Sequence, residues 1–173
     1  MIFEREIIQS IERLTTEPFF GVVYRHMFGD LDPFLENRRG ARWNPPEIPA
    51  IYTSLEKETA LAESEYQISM EPFRPKAKRV IYKFEISLKS VLIADTIDII
   101  KEIGFDITSM EDLKISECQR IGGAVDGLDH DGLLVPSARS EGKNLVIYTN
   151  KTAVDLSMKK IGAEPIPDSS LGV

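Results

Sequence analysis

The amino-acid sequence predicts a single compact α+β domain over residues 1–173, and three observations support this fold class. The chain is long enough, and with 42% hydrophobic residues apolar enough, to bury one substantial core. Some segments have apolar residues at helical spacing. Between them lie segments in which apolar and polar residues alternate, and short apolar runs, both of which are typical of strands. These segments do not follow the strand–helix–strand rhythm of a parallel sheet, and no internal repeat is visible.

The first elements are a helix, a strand and a long loop. Apolar residues at helical spacing predict an amphipathic helix over about 2–15. A β-branched and aromatic run predicts a strand over 20–27, which brings Arg25 to its end. Residues 30–49 contain four prolines and no sustained period, so we expect a long loop. Trp43 within it indicates an ordered loop, because an exposed indole forfeits about 2 kcal/mol of burial energy.

A second helix is predicted after a brief strand over 50–52. Thr53 to Glu56 fit a capping box, in which the Thr53 hydroxyl and the Glu56 carboxylate close the start of the helix. We expect this helix to run to about Ile68. Its predicted core face consists of Leu55, Thr59, Ala62 and Tyr66.

Further strands and helices are predicted in the second half of the chain. Every second residue is apolar over 80–88, which predicts the clearest strand, and residues 91–94 predict another short one. The remaining predicted elements are a helix over 97–103, helix starts near Thr108 and Ser116, and buried strands over 133–135 and 145–148. The sequence indicates no role for the last 20 or so residues.

The charge of the chain bears on its partners. A net charge of −7 and a pI near 5.0 make a nucleic-acid-binding surface unfavourable, since phosphates require a positive field. The basic run over 74–79 has no interleaved aromatic residues and fits a solvated hairpin edge. We therefore expect no direct nucleic-acid partner, although a local basic pocket is compatible with the composition.

The sequence also predicts a cytoplasmic location. Residues 1–6 show no basic segment followed by an apolar run, so we expect no signal peptide and no membrane span. The single cysteine, Cys118, allows no intrachain disulfide, as is usual in a reducing compartment. His26, His130 and Cys118 share no metal-ligand spacing, so no metal site is expected.

Three groups of residues are candidates for chemistry. Arg38, Arg39 and Arg42 lie close together beside Trp43, and guanidinium forks suit a pyrophosphate. A solvated basic loop around one buried tryptophan explains the same cluster equally well. Glu63, at the edge of the predicted helix face, is expected to be partly desolvated and able to steady a developing positive charge, although most helix glutamates are simply solvated.

The third group is Ser137 and Arg139, which follow an apolar strand in a polar turn. This position predicts that the hydroxyl and the guanidinium lie on the rim of a pocket. A turn serine taken alone indicates little.

Taken together, several segments resemble the RES domain family over roughly residues 20–150. The resembling segments are, in order, Tyr24–Arg25, Arg39–Asn44, Ile51–Thr53 with Ala60–Glu63, and Val135–Ser137. The family is named for an arginine, a glutamate and a serine, which in this chain would be Arg25, Glu63 and Ser137.

The resemblance implies a fold similar to that of ADP-ribosyltransferase toxins, with NAD as the substrate and no cofactor. It implies a toxin that cleaves the nicotinamide–ribose bond and depletes NAD by hydrolysis or phosphorolysis. It also implies a separate antitoxin protein, with a helix-turn-helix region and a segment that covers the toxin's cleft. Two alternatives stay open: a toxin that transfers ADP-ribose to a protein, and a non-catalytic module that binds a nucleotide or a protein. A homo-oligomer is also left open.

The resemblance further implies roles for individual residues. Arg25 and Arg42 would grip the phosphates, and Tyr52 would stack on nicotinamide or its ribose. Glu63 would stabilise the charge that develops on the ribose, and Ser137 would hold the nicotinamide–ribose end. The predicted NAD site is completed by Trp43, Arg39 and Arg139.

Overall fold

A computed structural model describes residues 2–150 and 157–167, whose helices and strands follow one another in irregular order. In this part of the chain the elements are α1 (Ile2–Glu12), β1 (Thr16–Phe28), β2 (Ala50–Ser54), α2 (Lys57–Ser69), β3 (Arg79–Ile93), α3 (Ile97–Ile103), a 3₁₀ helix (Met110–Asp112), α4 (Ile115–Gly127), β4 (Gly132–Pro136), β5 (Lys143–Tyr148) and β6 (Met158–Ile166). The predicted α+β class is confirmed, and no helix in the described ranges has the length and apolarity that a bilayer span requires.

The described strands form one sheet, ordered β1-β2-β5-β4-β3-β6, that also closes on itself. β1 runs antiparallel to β3 along almost its whole length, with Thr16 opposite Leu92 and Phe28 opposite Arg79. β3 pairs in parallel with β4, and β4, β5 and β2 follow in antiparallel order. β2 returns to β1 at the pair Tyr24 and Ser54, so five strands complete a circuit and β6 extends it from β3.

Two apolar cores lie on opposite faces of these strands. In β5, Leu145 and Ile147 point into a core with Phe84, whereas Val146 and Tyr148 point into a second core that also receives residues of α1, α3 and α4. A strand buried on both faces needs apolar residues at consecutive positions. This arrangement explains why β4 and β5 appear in the sequence as short apolar runs without alternation.

Several sequence predictions require correction at the ends of elements. The first helix ends at Glu12 and not near residue 15, because β1 begins at Thr16 to pair with the end of β3. The capping box is wrong: Thr53 lies in β2, where its hydroxyl donates to the Leu145 carbonyl, and α2 starts at Lys57 with no side-chain cap. The Glu56 carboxylate instead accepts from the Lys143 backbone N–H.

The predicted faces and strands also differ from the observed ones. The buried residues of α2 are Thr59, Ala60, Ser64 and Ile68, so its core face is rotated from the predicted one. Residues 91–94 are not a separate strand, because β3 continues through Ile93. β6 was not predicted; most of its side chains are exposed at the edge of the sheet and lack a clear apolar alternation.

The long loop over 30–49 is ordered against α4 at one glycine. A Cβ atom at Gly122 would lie 1.7 Å from the Trp43 carbonyl oxygen and 2.7 Å from the Tyr148 hydroxyl, which donates to that same carbonyl at 2.8 Å. The loop therefore approaches the helix as closely as it does only because residue 122 has no side chain. The Trp43 side chain is 2% exposed, as expected for an ordered loop.

We predict that Gly122→Ala destabilises the protein by about 1–3 kcal/mol, because the added methyl forces the Trp43 segment away from α4. Gly123→Ala is the matched control. Its Cβ would meet Pro45 at an ordinary 3.6 Å, and the better helix propensity of alanine should leave stability equal or raised by up to about 1 kcal/mol. Urea unfolding of both variants measures the difference, and equal stabilities would contradict the close approach.

Candidate active site

A cleft of about 420 Å³ opens between α2, the C-terminal part of β1, the β2–β5 pair and the long loop. Its volume lies in the range of small-molecule sites. The described residues that line it include three arginines, Arg25, Arg42 and Arg139, and a single carboxylate, Glu63. The cleft is thus locally positive in a chain whose net charge is −7. Such a site favours an anionic ligand.

Glu63 of α2 is half-buried in this cleft, and two donors hold one of its oxygens. The Ser137 hydroxyl donates to Oε1 at 2.6 Å, and the Asn144 amide donates to the same atom at 2.7 Å. Within the described ranges no hydrogen-bond donor contacts Oε2. The carboxylate is therefore fixed through one oxygen while the other can face a ligand.

Ser137 is more tightly engaged than the sequence suggested. Its oxygen accepts hydrogen bonds from the backbone N–H groups of Arg139, at 3.0 Å, and Ser140, at 3.2 Å, while its proton goes to Glu63. The residue is 7% exposed and does not line the cleft itself. The hydroxyl consequently orients the carboxylate and has little left with which to hold a ligand, unlike the direct contact with the nicotinamide–ribose end expected above.

Asn144 is a site residue that sequence reasoning missed. It directly precedes the apolar run of β5 and lines the cleft beside Glu63. A polar residue at the start of a buried strand is a weak signal by itself. Only the register of β5 against β2 brings it to the site, and that register cannot be read from the spacing of residues.

Arg25, in β1, lines the cleft and also anchors the long loop. Its Nη1 donates to the Pro33 carbonyl at 2.6 Å and its Nη2 to the Leu35 carbonyl at 2.5 Å. Burial lowers the pKa of the Arg25 guanidinium to about 10, and the Asp32 carboxylate opposes this shift. The side chain stays charged at neutral pH, so it can still attract an anion.

The arginines of the loop separate into inner and outer members. Arg42 lines the cleft, and its Nη2 donates to the Met110 carbonyl at 2.5 Å. Arg38 is 69% exposed and pairs with Glu36. Arg39 is exposed and lies outside the lining of the cleft, so the structure does not bring it to the predicted site.

Tyr52 and Trp43 form part of the cleft wall through a buried network. The Tyr52 hydroxyl accepts from the Trp43 backbone N–H at 2.8 Å and donates to Asn44 Oδ1 at 2.7 Å. Burial raises the pKa of the Tyr52 phenol, which keeps it protonated as that donor. Of these two rings, that of Tyr52 is the one available for stacking, since Trp43 is 2% exposed and packs in the core.

Arg139 and Tyr66 form one rim of the cleft. The Arg139 guanidinium carbon lies 3.3 Å from the centre of the Tyr66 ring, and Nη1 is 3.2 Å from a Glu111 oxygen. Stacking and pairing hold the guanidinium in place at the edge. The predicted rim position of Arg139 is therefore the observed one.

A buried arginine that is not part of the predicted site lies outside the lining of the cleft and contacts two of the lining residues, His26 and Ser64. Arg79 of β3 donates from Nε to His26 Nε2 at 3.1 Å, from Nη2 to Ser64 at 2.7 Å and from Nη1 to Glu65 at 2.5 Å. Burial, helped by the Arg79 charge, lowers the pKa of His26 to about 4. The imidazole is therefore neutral at pH 7, as its role of acceptor requires.

Comparisons with known proteins relate the whole domain to one family. A model of the RES domain matches residues 19–168. A comparison with curated proteins finds no match. Among solved structures, the chain is similar to the crystal structure of the M. tuberculosis MbcT–MbcA toxin–antitoxin complex, with a TM-score of 0.81 and 24% sequence identity over 95% of this chain and 93% of that chain. A similarity at this identity shows the fold.

We predict that His26 makes the protein less stable in acid. The pKa of His26 is about 4 in the folded chain, whereas that of an ordinary imidazole is 6.5. As the pH falls through this window, the unfolded chain binds the extra proton and the free energy of unfolding decreases. In His26→Gln, which keeps an acceptor for Arg79, this decrease should be smaller. Denaturant unfolding of both proteins at pH 7 and pH 4.5 tests it, and the same decrease in both would be the contrary result.

Proposed function

Because the chain belongs to the RES domain family, we propose that it is the toxin of a toxin–antitoxin pair and that it cleaves the nicotinamide–ribose bond of NAD. The observation that supports this most is the Glu63 carboxylate, held through Oε1 in a cleft that also contains three arginines. A pyrophosphate needs the arginines, and a cationic ribose needs the carboxylate.

Arg25 and Arg42 bind the pyrophosphate of NAD in this proposal. A guanidinium has five N–H donors, and Arg25 uses two of its nitrogens for loop carbonyls while Arg42 uses one for Met110. The remaining donors and the full positive charge serve the phosphates. The Tyr52 ring, fixed through its hydroxyl, supplies a flat surface for nicotinamide or its ribose.

Glu63 then stabilises the transition state. As the bond between ribose C1′ and the nicotinamide nitrogen breaks, nicotinamide leaves with the bonding electron pair and positive charge grows on the ribose. The Oε2 atom faces that charge and orients the 2′-hydroxyl. Water or phosphate adds at C1′ and its proton passes to solvent. A fixed carboxylate is effective here because it needs no reorganisation when the charge develops. Ser137 acts through Glu63 in this scheme.

A separate antitoxin, with its own helix-turn-helix region, is the proposed partner in the cytoplasm. A protein that destroys NAD harms its host unless its cleft is closed. The solved structure cited above contains a toxin with its antitoxin. The positive cleft of this chain suits an acidic or carboxylate-ended segment for the same reason that it suits a pyrophosphate, so antitoxin and NAD should compete.

We predict that Glu63→Gln lowers the rate of NAD cleavage by roughly 100- to 1000-fold, because it removes a preorganised charge but keeps the shape. NAD affinity and melting temperature should change little. The control is Glu58→Gln, an exposed residue of the same helix. Glu65 is unsuitable because it pairs with the buried Arg79. Product chromatography with and without phosphate distinguishes hydrolysis from phosphorolysis.

The same variants test the toxin in cells. Induction of the wild type in a bacterium should stop growth and deplete NAD, and Glu63→Gln should do neither. Label from NAD retained on a protein would favour ADP-ribosyl transfer instead. Intact NAD after hours with concentrated, folded wild-type protein would leave the binding-module alternative.

We predict that Arg42→Lys and Arg25→Lys weaken NAD binding although the charge is kept, because lysine cannot form a two-pronged contact. Arg38→Lys, which is exposed and outside the cleft, is the control and should bind NAD normally. Calorimetric titration with NAD measures all three. Equal, small effects would mean that the arginines form a solvated basic loop.

A further inference from the structure

Asn144 connects the Glu63 carboxylate to a row of residues that crosses the sheet. The register places Tyr24 opposite Ser54, Ser54 opposite Asn144, and Asn144 opposite Val135. Side chains paired in this way lie on one face of a sheet. Tyr24, Ser54 and Asn144 all line the cleft, so this row forms part of its floor.

The orientation of the Asn144 amide is determined by its two partners. Nδ2 is 2.7 Å from Glu63 Oε1, and Oδ1 accepts from the Ser54 hydroxyl at 2.8 Å. An ionised carboxylate only accepts hydrogen bonds, so a flipped amide would set two acceptor oxygens against each other. Ser54 is 4% exposed, and its hydrogen bond restrains the amide.

We propose that Asn144, held by Ser54, is a positioning residue that keeps Glu63 Oε2 turned toward the reacting ribose. This inference rests on the proposed function and adds to it a group that acts through Glu63. It identifies the second anchor of the carboxylate, one built into the sheet, whereas Ser137 belongs to a turn.

Two anchors from different elements restrain the carboxylate more than one does. A single hydrogen bond from Ser137 leaves the Glu63 side chain free to rotate about that contact. The Asn144 amide donates to the same oxygen from β5, so Oε1 is held by β5 and by the turn that follows β4. The backbones of β4 and β5 are themselves paired in the sheet. Both donors also stabilise negative charge on the carboxylate. Rotation of Oε2 away from the cleft then requires both contacts to break.

The test compares NAD cleavage by wild type, Asn144→Ala, Asn144→Asp, Ser54→Ala and the control Asn150→Ala, which changes an exposed asparagine. Asn144→Ala should lower kcat on the order of 10- to 100-fold while KM changes less than about threefold, because a hydrogen bond to a charged group is lost from the transition state. Ser54→Ala should show the same pattern to a smaller extent. Melting temperatures and NAD titrations confirm that the variants fold and bind.

The pH dependence of kcat reports whether residue 144 contacts the Glu63 carboxylate in the working enzyme. Asn144→Asp places a second carboxylate within hydrogen-bond distance of Glu63, and adjacent like charges favour protonation of one of them. The acidic limb of the kcat profile should therefore move to higher pH in Asn144→Asp and stay in place in Asn150→Ala.

Different results would overturn different proposals. If the wild type cleaves NAD and the folded Asn144 and Ser54 variants have the same kcat and the same pH profile as the wild type, the positioning role is overturned. The proposed function is then left intact. An equal fall in NAD affinity and kcat would make Asn144 a binding or structural residue and also overturn it. A wild type that does not cleave NAD would overturn the proposed function, and the positioning role with it.

Discussion

The contact between Glu63 Oε1 and its two donors is the interaction on which the geometry of the cleft depends. A carboxylate that is half-buried loses part of its hydration and has to be compensated by donors of the protein. Ser137 and Asn144 provide that compensation from the turn after β4 and from the start of β5. Helix α2 therefore has to lie against the β4–β5 hairpin in a defined position, and the site forms together with the sheet.

A second set of contacts holds α2 and the hairpin in that position. The Glu56 carboxylate accepts from the Thr59 hydroxyl and from the Lys143 backbone N–H, and Thr59 also meets Ser140 at 2.8 Å. A Cβ atom at Gly142 would lie 1.9 Å from the Thr59 hydroxyl. The turn thus lies so close to the start of the helix that a side chain at residue 142 would displace the Thr59 hydroxyl and the Glu56 carboxylate, and this proximity is what lets Ser137 reach Glu63.

The sequence was sufficient for the fold class, most elements and the residues that converge on the cleft, but not for contacts that depend on register. Arg25 and Glu63 were assigned to the site by the motifs that resemble the RES domain, and Arg139 by its position in a turn after an apolar strand, which is a local feature. Asn144 could not be assigned to it, since its role follows from the alignment of β5 with β2. The capping box failed because the Thr53 hydroxyl finds a partner 92 positions away, at Leu145, and local pattern contains no information about that contact.

Arg25 and Arg42 line the cleft and also bind backbone carbonyls of the protein. These two roles explain why the cationic residues here are arginines. A guanidinium whose nitrogens bind loop carbonyls is fixed in direction, as Arg25 is by Pro33 and Leu35, so little side-chain entropy is lost when it meets an anion. Lysine could supply the charge but could not span two carbonyls in one plane. The same contacts order the loop that contains Arg42. In a chain of net charge −7, the cleft thus contains arginines that contacts with the backbone hold in place beside the Glu63 carboxylate.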